Sequence, residues 1–116
     1  MIMRALSVKS PWAELIASGA KTIETRRWTT KYRGPVLIVC SLSPKTEMSG
    51  LAVCTARIVD CKPMTKNDEL DACCEVYPDA NSWFLEDIVE IAKPFPVKGQ
   101  LGLFNVDVTG LLQDVS

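Results

Sequence analysis

Residues 3–28 read MRALSVKSPWAELIASGAKTIETRRW, and the apolar period changes twice within them. Met3 to Val8 alternates apolar and polar side chains as a short strand does. Ser10 followed by Pro11 predicts an N-cap with proline at the first helical position. Trp12, Leu15 and Ile16 then fall on one face of a helix of about two turns, and Gly19 after Ser18 suits the left-handed residue that closes it. From Lys21 to Trp28 the period becomes two, so Thr22, Glu24, Arg26 and Trp28 share one face and Ile23, Thr25 and Arg27 the other. Strand, short helix and charged strand in direct succession point to a mixed α+β domain, with its chemistry on one face of the second strand.

The same stretch carries the charge. Through residue 33 the chain has seven basic residues against two acidic ones, formally +5, while the remainder has six basic against twelve acidic, formally −6. The near-neutral total of −1 therefore conceals a polarised molecule, which points to an anionic partner, nucleic acid or a nucleotide ahead of a membrane. The alternative is that these charges scatter over a solvated surface once folded. A pI of 5.4 argues against sequence-independent duplex binding, which needs a broadly basic face; a short single strand or a nucleoside fits better.

Beyond residue 33 the strands are spelled by apolar runs. Arg33, Gly34 and Pro35 read as a turn before Val36 to Cys40, a β-branched run suited to a central strand. A polar loop over 43–50 leads to a second such run at 51–59. Thr65 predicts the cap of a short helix over 66–74, with Asp68 and Glu69 in its first turn, ended by Tyr77, Pro78 and Asp79. Residues 82–92 suit a bulged strand or a helix by spacing, and we read a strand. A final strand is expected over 103–108, giving five to six mostly antiparallel strands and two or three short helices curled into a small barrel.

At 116 residues the chain fits one domain, 1–116. Its 47% hydrophobic content is that of a folding globule. No apolar run approaches the length of about 20 residues that a membrane helix requires, and the N-terminus lacks the continuous apolar region of a signal peptide, so no membrane association, a cytoplasmic location and a monomer are expected. Five cysteines and no histidine predict free thiols. Cys73 and Cys74 are adjacent rather than spaced as metal ligands, so neither a metal nor another cofactor is expected. Without histidine, Ser-His and Cys-His nucleophile pairs are excluded.

The segments Leu6-Ser7-Val8-Lys9-Ser10-Pro11-Trp12 and Gly19-Ala20-Lys21-Thr22-Ile23-Glu24-Thr25-Arg26 resemble the ASCH domain, named for homology to activating signal cointegrator 1. Pro96 to Phe104 resembles the closing strand of its small, free-standing bacterial and phage members. The resemblance implies a PUA-like β-barrel with a cleft between the first helix and the barrel, suited to RNA or a nucleobase-containing ligand. It also implies an enzymatic option, because some small members deacetylate N4-acetylcytidine and others are reported as ribonucleases. In the deacetylase branch the lysine of the Gly-x-Lys element, Lys21 here, activates a base or nucleophile, a nearby threonine attacks, and a downstream glutamate completes the set. The threonine's position is Glu24 in this chain, with Thr22 and Thr25 as neighbours.

The residues themselves support such a cleft. Lys9 and Lys21 are compact cations for phosphate, and Arg26 is a planar fork for phosphate or a base edge. Glu24 suits an exocyclic amine, and Trp12, Trp28, Tyr32 or Trp83 offers a stacking face. Trp12, on the apolar helical face, reads as core ahead of platform. Ser10 belongs to the same ligand-binding loop. For catalysis the candidates are Glu24 as a base on water and Lys21 at the developing oxyanion, with Glu86 ahead of Glu75 as a second carboxylate. Two other readings stay open. Lys21, Glu24 and Arg26 also suit a purely structural ion-pair ladder, and the acidic remainder suits a protein-interaction surface. A binding module for RNA or a nucleoside ranks just ahead of a hydrolase.

Overall fold

A computed structural model describes residues 1–112. The strands are β1 (Ile2–Val8), β2 (Ile23–Arg26), β3 (Gly34–Cys40), β4 (Leu51–Pro63), β5 (Asn81–Pro96) and β6 (Leu103–Asp107). The helices are α1 (Trp12–Ala17), between β1 and β2, and α2 (Glu69–Ala72), which continues a 3-10 turn at Lys66–Asp68. The six strands form one sheet in the order β2-β5-β4-β3-β1-β6. Only β1 and β3 pair in parallel, joined by the crossover through α1 and β2 that parallel neighbours require. The other pairs are antiparallel, and the sheet curls into a half-barrel consistent with the PUA-like architecture.

The core explains the order. Along β3, Val36, Ile38 and Cys40 point into a cluster with Leu6, Ile16 of α1 and Trp83, while Leu37 and Val39 point into a second cluster with Met3, Phe95 and Phe104. Both faces of this central strand are buried, which is why it reads as a continuous apolar run. A third cluster sets Ile23 of β2 against Met64, Ala72 and Ala80, with Tyr77 and Phe84 beside it. That small cluster fastens the β4–β5 connection onto β2, and it positions the site described below.

Several boundaries differ from the sequence reading. Pro11, rather than Ser10, is the N-cap of α1, and no side chain caps that end. The Ser10 hydroxyl instead lies 2.7 Å from both carboxylate oxygens of Glu14 and 3.2 Å from Cys40 Sγ and Thr46 Oγ1. The hydroxyl is turned to donate to a charged acceptor, a stronger bond than one between neutral groups, and its oxygen takes no helix N–H. The expected helix over 66–74 is a 3-10 turn that continues into α2 and ends at Ala72, where Cys73 takes a left-handed conformation, φ +57°. Strand β5 extends past the expected 82–92 to Pro96, and Asp87 at φ +53° marks a bulge. Gly19 closes α1 at φ +86° as read. The cysteines that the structure describes are free, and no helix among the described residues is long and apolar enough to cross a membrane.

Candidate functional site

The four residues of β2 form an edge of the sheet, paired only with β5. Their position is fixed from both ends. The Lys21 N–H donates to the Leu15 carbonyl of α1 at 3.0 Å, and the Thr22 N–H donates to the Asp71 carbonyl of α2 at 2.9 Å. At the other end Asn81 Nδ2 donates to the Arg26 carbonyl at 3.2 Å. A short edge strand with little apolar surface is thus held by hydrogen bonds and one small cluster rather than by the main core.

Three charged side chains of this segment line up along it. Lys21 is 1% exposed and Glu24 6%. Lys21 Nζ donates to the Ala72 carbonyl and lies 3.6 Å from Glu24 Oε1. Arg26 Nε donates to Glu24 Oε2 at 2.9 Å, and Arg26 Nη2, also 2.9 Å from that oxygen, donates to the Ser7 carbonyl at the end of β1 at 2.6 Å. Glu24 therefore sits between two cations, one per carboxylate oxygen. Removing ions from water costs several kcal/mol each, so such a ladder is a poor way to gain stability and marks a place where charge is wanted.

The ladder forms one wall of a cavity of about 520 Å³, within the usual range for small-molecule sites. Lys9 from the β1–α1 turn and Trp12 at the start of α1 form a second wall, Cys74 and Tyr77 a third, and Gln100 and Leu101 a fourth. The charged lining is three cations, Lys9, Lys21 and Arg26, against the single carboxylate of Glu24. Tyr77 hydroxyl donates to Thr25 Oγ1 at 2.9 Å, and Cys74 Sγ is 3.8 Å from the same oxygen. Ser7 Oγ, also in the lining, is buried and has no hydrogen-bond partner among the described residues.

Lys9, Trp12, Lys21, Glu24 and Arg26 are brought together as neighbours around this cavity, and the other expected site residues lie elsewhere. Trp12 is 37% exposed and borders the cavity rather than filling the core. Trp83 is the reverse, 0% exposed within the main cluster, with Nε1 donating to the Trp28 carbonyl at 3.3 Å. Trp28 meets it edge-on, ring centroids 4.7 Å apart, outside the cavity lining. Tyr32 donates to the Pro35 carbonyl and lies under Arg4, away from the cavity. Ser10 is buried in the Glu14 node behind the lining. Glu86 is exposed opposite Arg57 on the β4–β5 pair, and Glu75 is exposed beyond Cys74 without lining the cavity.

The remaining basic residues of the N-terminal third are dispersed. Arg27 lies over the Tyr77 ring at 5.6 Å, and Arg33 is 3.6 Å from Asp60. The sequence reading missed Ser7, Thr25, Cys74, Tyr77 and Gln100 in the lining. Cys74 and Tyr77 arrive from some fifty positions downstream by the folding of the β4–β5 connection, and no local spacing announces that.

Residues 6–95 match the family model of the ASCH domain. The crystal structure of ASCH from Zymomonas mobilis matches with a TM-score of 0.75 at 15% sequence identity, covering 98% of each chain. A mutant of that protein matches with a TM-score of 0.71 at 14% identity, covering 96% of this chain and 99% of that one. At these identities the likeness to the solved structures is one of fold. No curated protein matches the chain at a significant level.

Proposed function

This chain belongs to the ASCH domain family, and we propose that its cavity binds RNA or a nucleoside or nucleotide, modified bases included. The observation that carries this reading is the excess of positive charge around a half-open cavity. Three cations face one carboxylate, and two members of the set, Lys21 and Glu24, are almost entirely withdrawn from water. An anionic ligand offsets the surplus charge, and the half-exposed Trp12 indole supplies a stacking surface for a base, worth about 1–3 kcal/mol.

Binding ranks ahead of hydrolysis because of what occupies Glu24. Its Oε2 accepts from Arg26 and its Oε1 faces Lys21, so the carboxylate is engaged by cations rather than open toward a water in the cavity. A general base needs a free oxygen within hydrogen-bond reach of the proton it takes. Thr25, the threonine that lines the cavity, is already hydrogen-bonded to Tyr77.

The test is titration of the protein with a short single-stranded RNA and with the four nucleoside 5′-monophosphates across salt concentrations, beside Lys9→Ala. Lys9 is exposed and no ion pair is formed by it among the described residues, so its removal leaves the fold alone. Weaker binding of the RNA by Lys9→Ala, with a salt slope shallower by about one, is expected. Absence of binding to every probe overturns the reading. Incubation with N4-acetylcytidine is expected to release no cytidine; release that Lys21→Ala abolishes would establish the hydrolase instead.

A further inference from the structure

The cavity touches three consecutive residues of β2, Glu24, Thr25 and Arg26. Successive side chains of a strand point to opposite faces, so a space bordered by all three runs along the strand's edge and not over one face. The hydrogen-bond phase says what that edge carries. The Leu85 N–H donates to the Thr22 carbonyl at 2.9 Å, and Thr22 stands opposite Leu85 in the register that pairs Ile23 with Phe84. The Thr22 carbonyl therefore points toward β5. By the alternation of an antiparallel ladder, the N–H and C=O of Glu24 and Arg26 point the same way, and those of Ile23 and Thr25 point outward. The bond from Asn81 Nδ2 to the Arg26 carbonyl has the same phase.

On the outer side no strand is paired with β2. Among the described residues no group donates to, or accepts from, the main chain of Thr25. Thr25 is half-buried, so these groups are open to the cavity or to water.

We infer that Thr25 presents its main-chain N–H and C=O to the cavity as a donor–acceptor pair that reads the hydrogen-bonding edge of a nucleobase. The inference rests on the nucleic-acid reading of the site and adds how the base is recognised. The free edge is too short for a peptide strand. Ile23 is buried, and beyond Thr25 the Arg26 side chain folds back to Glu24 and Ser7. What remains is one donor and one acceptor side by side, with Lys9, Lys21 and Arg26 around them. A planar base carries adjacent donors and acceptors along its edge, and its phosphate supplies the charge the cations lack.

Proline replacing Thr25 tests this directly. It removes the N–H but no ladder bond, and proline is tolerated on an edge strand when its nitrogen faces away from the sheet. Thr25→Pro is expected to fold and to bind cytidine and uridine 5′-monophosphates about tenfold more weakly than the parent, the loss of about one hydrogen bond. Thr25→Val keeps the N–H and is expected to bind several-fold tighter than Thr25→Pro. In the unaltered protein, the Thr25 amide proton is expected to exchange fast when free and to shift downfield on addition of either nucleotide. Binding by the parent with an unmoved Thr25 amide, or with equal affinity in Thr25→Pro, overturns the inference and leaves the nucleotide site standing. Binding of neither nucleotide overturns both. Binding of an extended peptide with protection spread along β2 would assign the edge to a protein partner instead.

Discussion

Strands β3 and β2 both carry nearly inaccessible side chains, and they do so for opposite reasons. In β3 the buried groups are Val36, Leu37, Ile38, Val39 and Cys40, apolar on both faces in the middle of the sheet, where burial itself is the source of stability. At β2 and in the residues leading into it they include Glu24 and Lys21, charged groups at an edge, where burial opposes stability. The contrast teaches that equal burial has different meanings. The centre of the sheet holds the molecule together, and its edge spends some of that stability on keeping charge ready inside a cavity.

Replacement at the centre is expected to have the largest effect. Leu37→Ala removes a side chain that is 0% exposed and is expected to lower the unfolding free energy by about 3 kcal/mol, read by denaturant titration. Nucleotide affinity at a temperature where the variant remains folded is expected to stay at the parent value, and an affinity loss would break the division between centre and edge. Trp12→Ala sharpens it from the other side. Trp12 borders the cavity at 37% exposure, so its loss is expected to weaken nucleotide binding by about 2 kcal/mol with little change in the denaturation midpoint. The opposite pattern would return Trp12 to the core.

The third expectation concerns the dryness of the centre. Cys54, opposite Ile38 on β4, has its thiol pushed up to about 12 by burial and then by Glu90. The folded state thus holds a proton that the unfolded chain releases at an ordinary thiol pKa near 9. Below that pH the group contributes no pH dependence. Above it, stability falls by up to about 1.4 kcal/mol per pH unit until the folded thiol also ionises. Unfolding measured from pH 8 to pH 11 in the parent and in Cys54→Ala is expected to show the steeper decline in the parent, and parallel slopes would mean that water reaches the centre.

Much of the fold was legible because the centre obeys local rules. The run at 36–40, the period change at Lys21 and the left-handed Gly19 each carry their own signal, and the pairing of strands follows from burying those runs. The two tryptophans were not separable in this way. Trp12 lies at a helical position that suits the core, and Trp83 in a strand whose spacing is mixed, so which indole reaches water depends on where α1 and β5 meet the sheet. The candidate site was legible only on one strand face. Glu24 and Arg26 follow from alternation and Lys21 only from its charge, whereas Thr25 falls on the other face by the same rule. It enters the cavity because β2 is an edge, and edge position is a property of the whole sheet order. Cys74 and Tyr77 depend on a connection whose anchoring, Met64, Ala72 and Ala80 against Ile23, is weakly apolar in sequence.

The division between centre and edge turns on Lys21, the cation left over once Glu24 is matched with Arg26. Lys21→Met keeps the length of the side chain and removes its charge, leaving the Glu24–Arg26 pair. The direct measurement is the unfolding free energy of this variant alongside its affinity for the nucleoside monophosphates. Stability close to the parent's, with affinity reduced tenfold or more, is the expected result, because the gain from replacing a buried charge by an apolar group, with Glu24 still paired to Arg26, offsets the lost bond to the Ala72 carbonyl. A loss of about 3 kcal/mol in stability with affinity unchanged would contradict it and make the ladder a structural device.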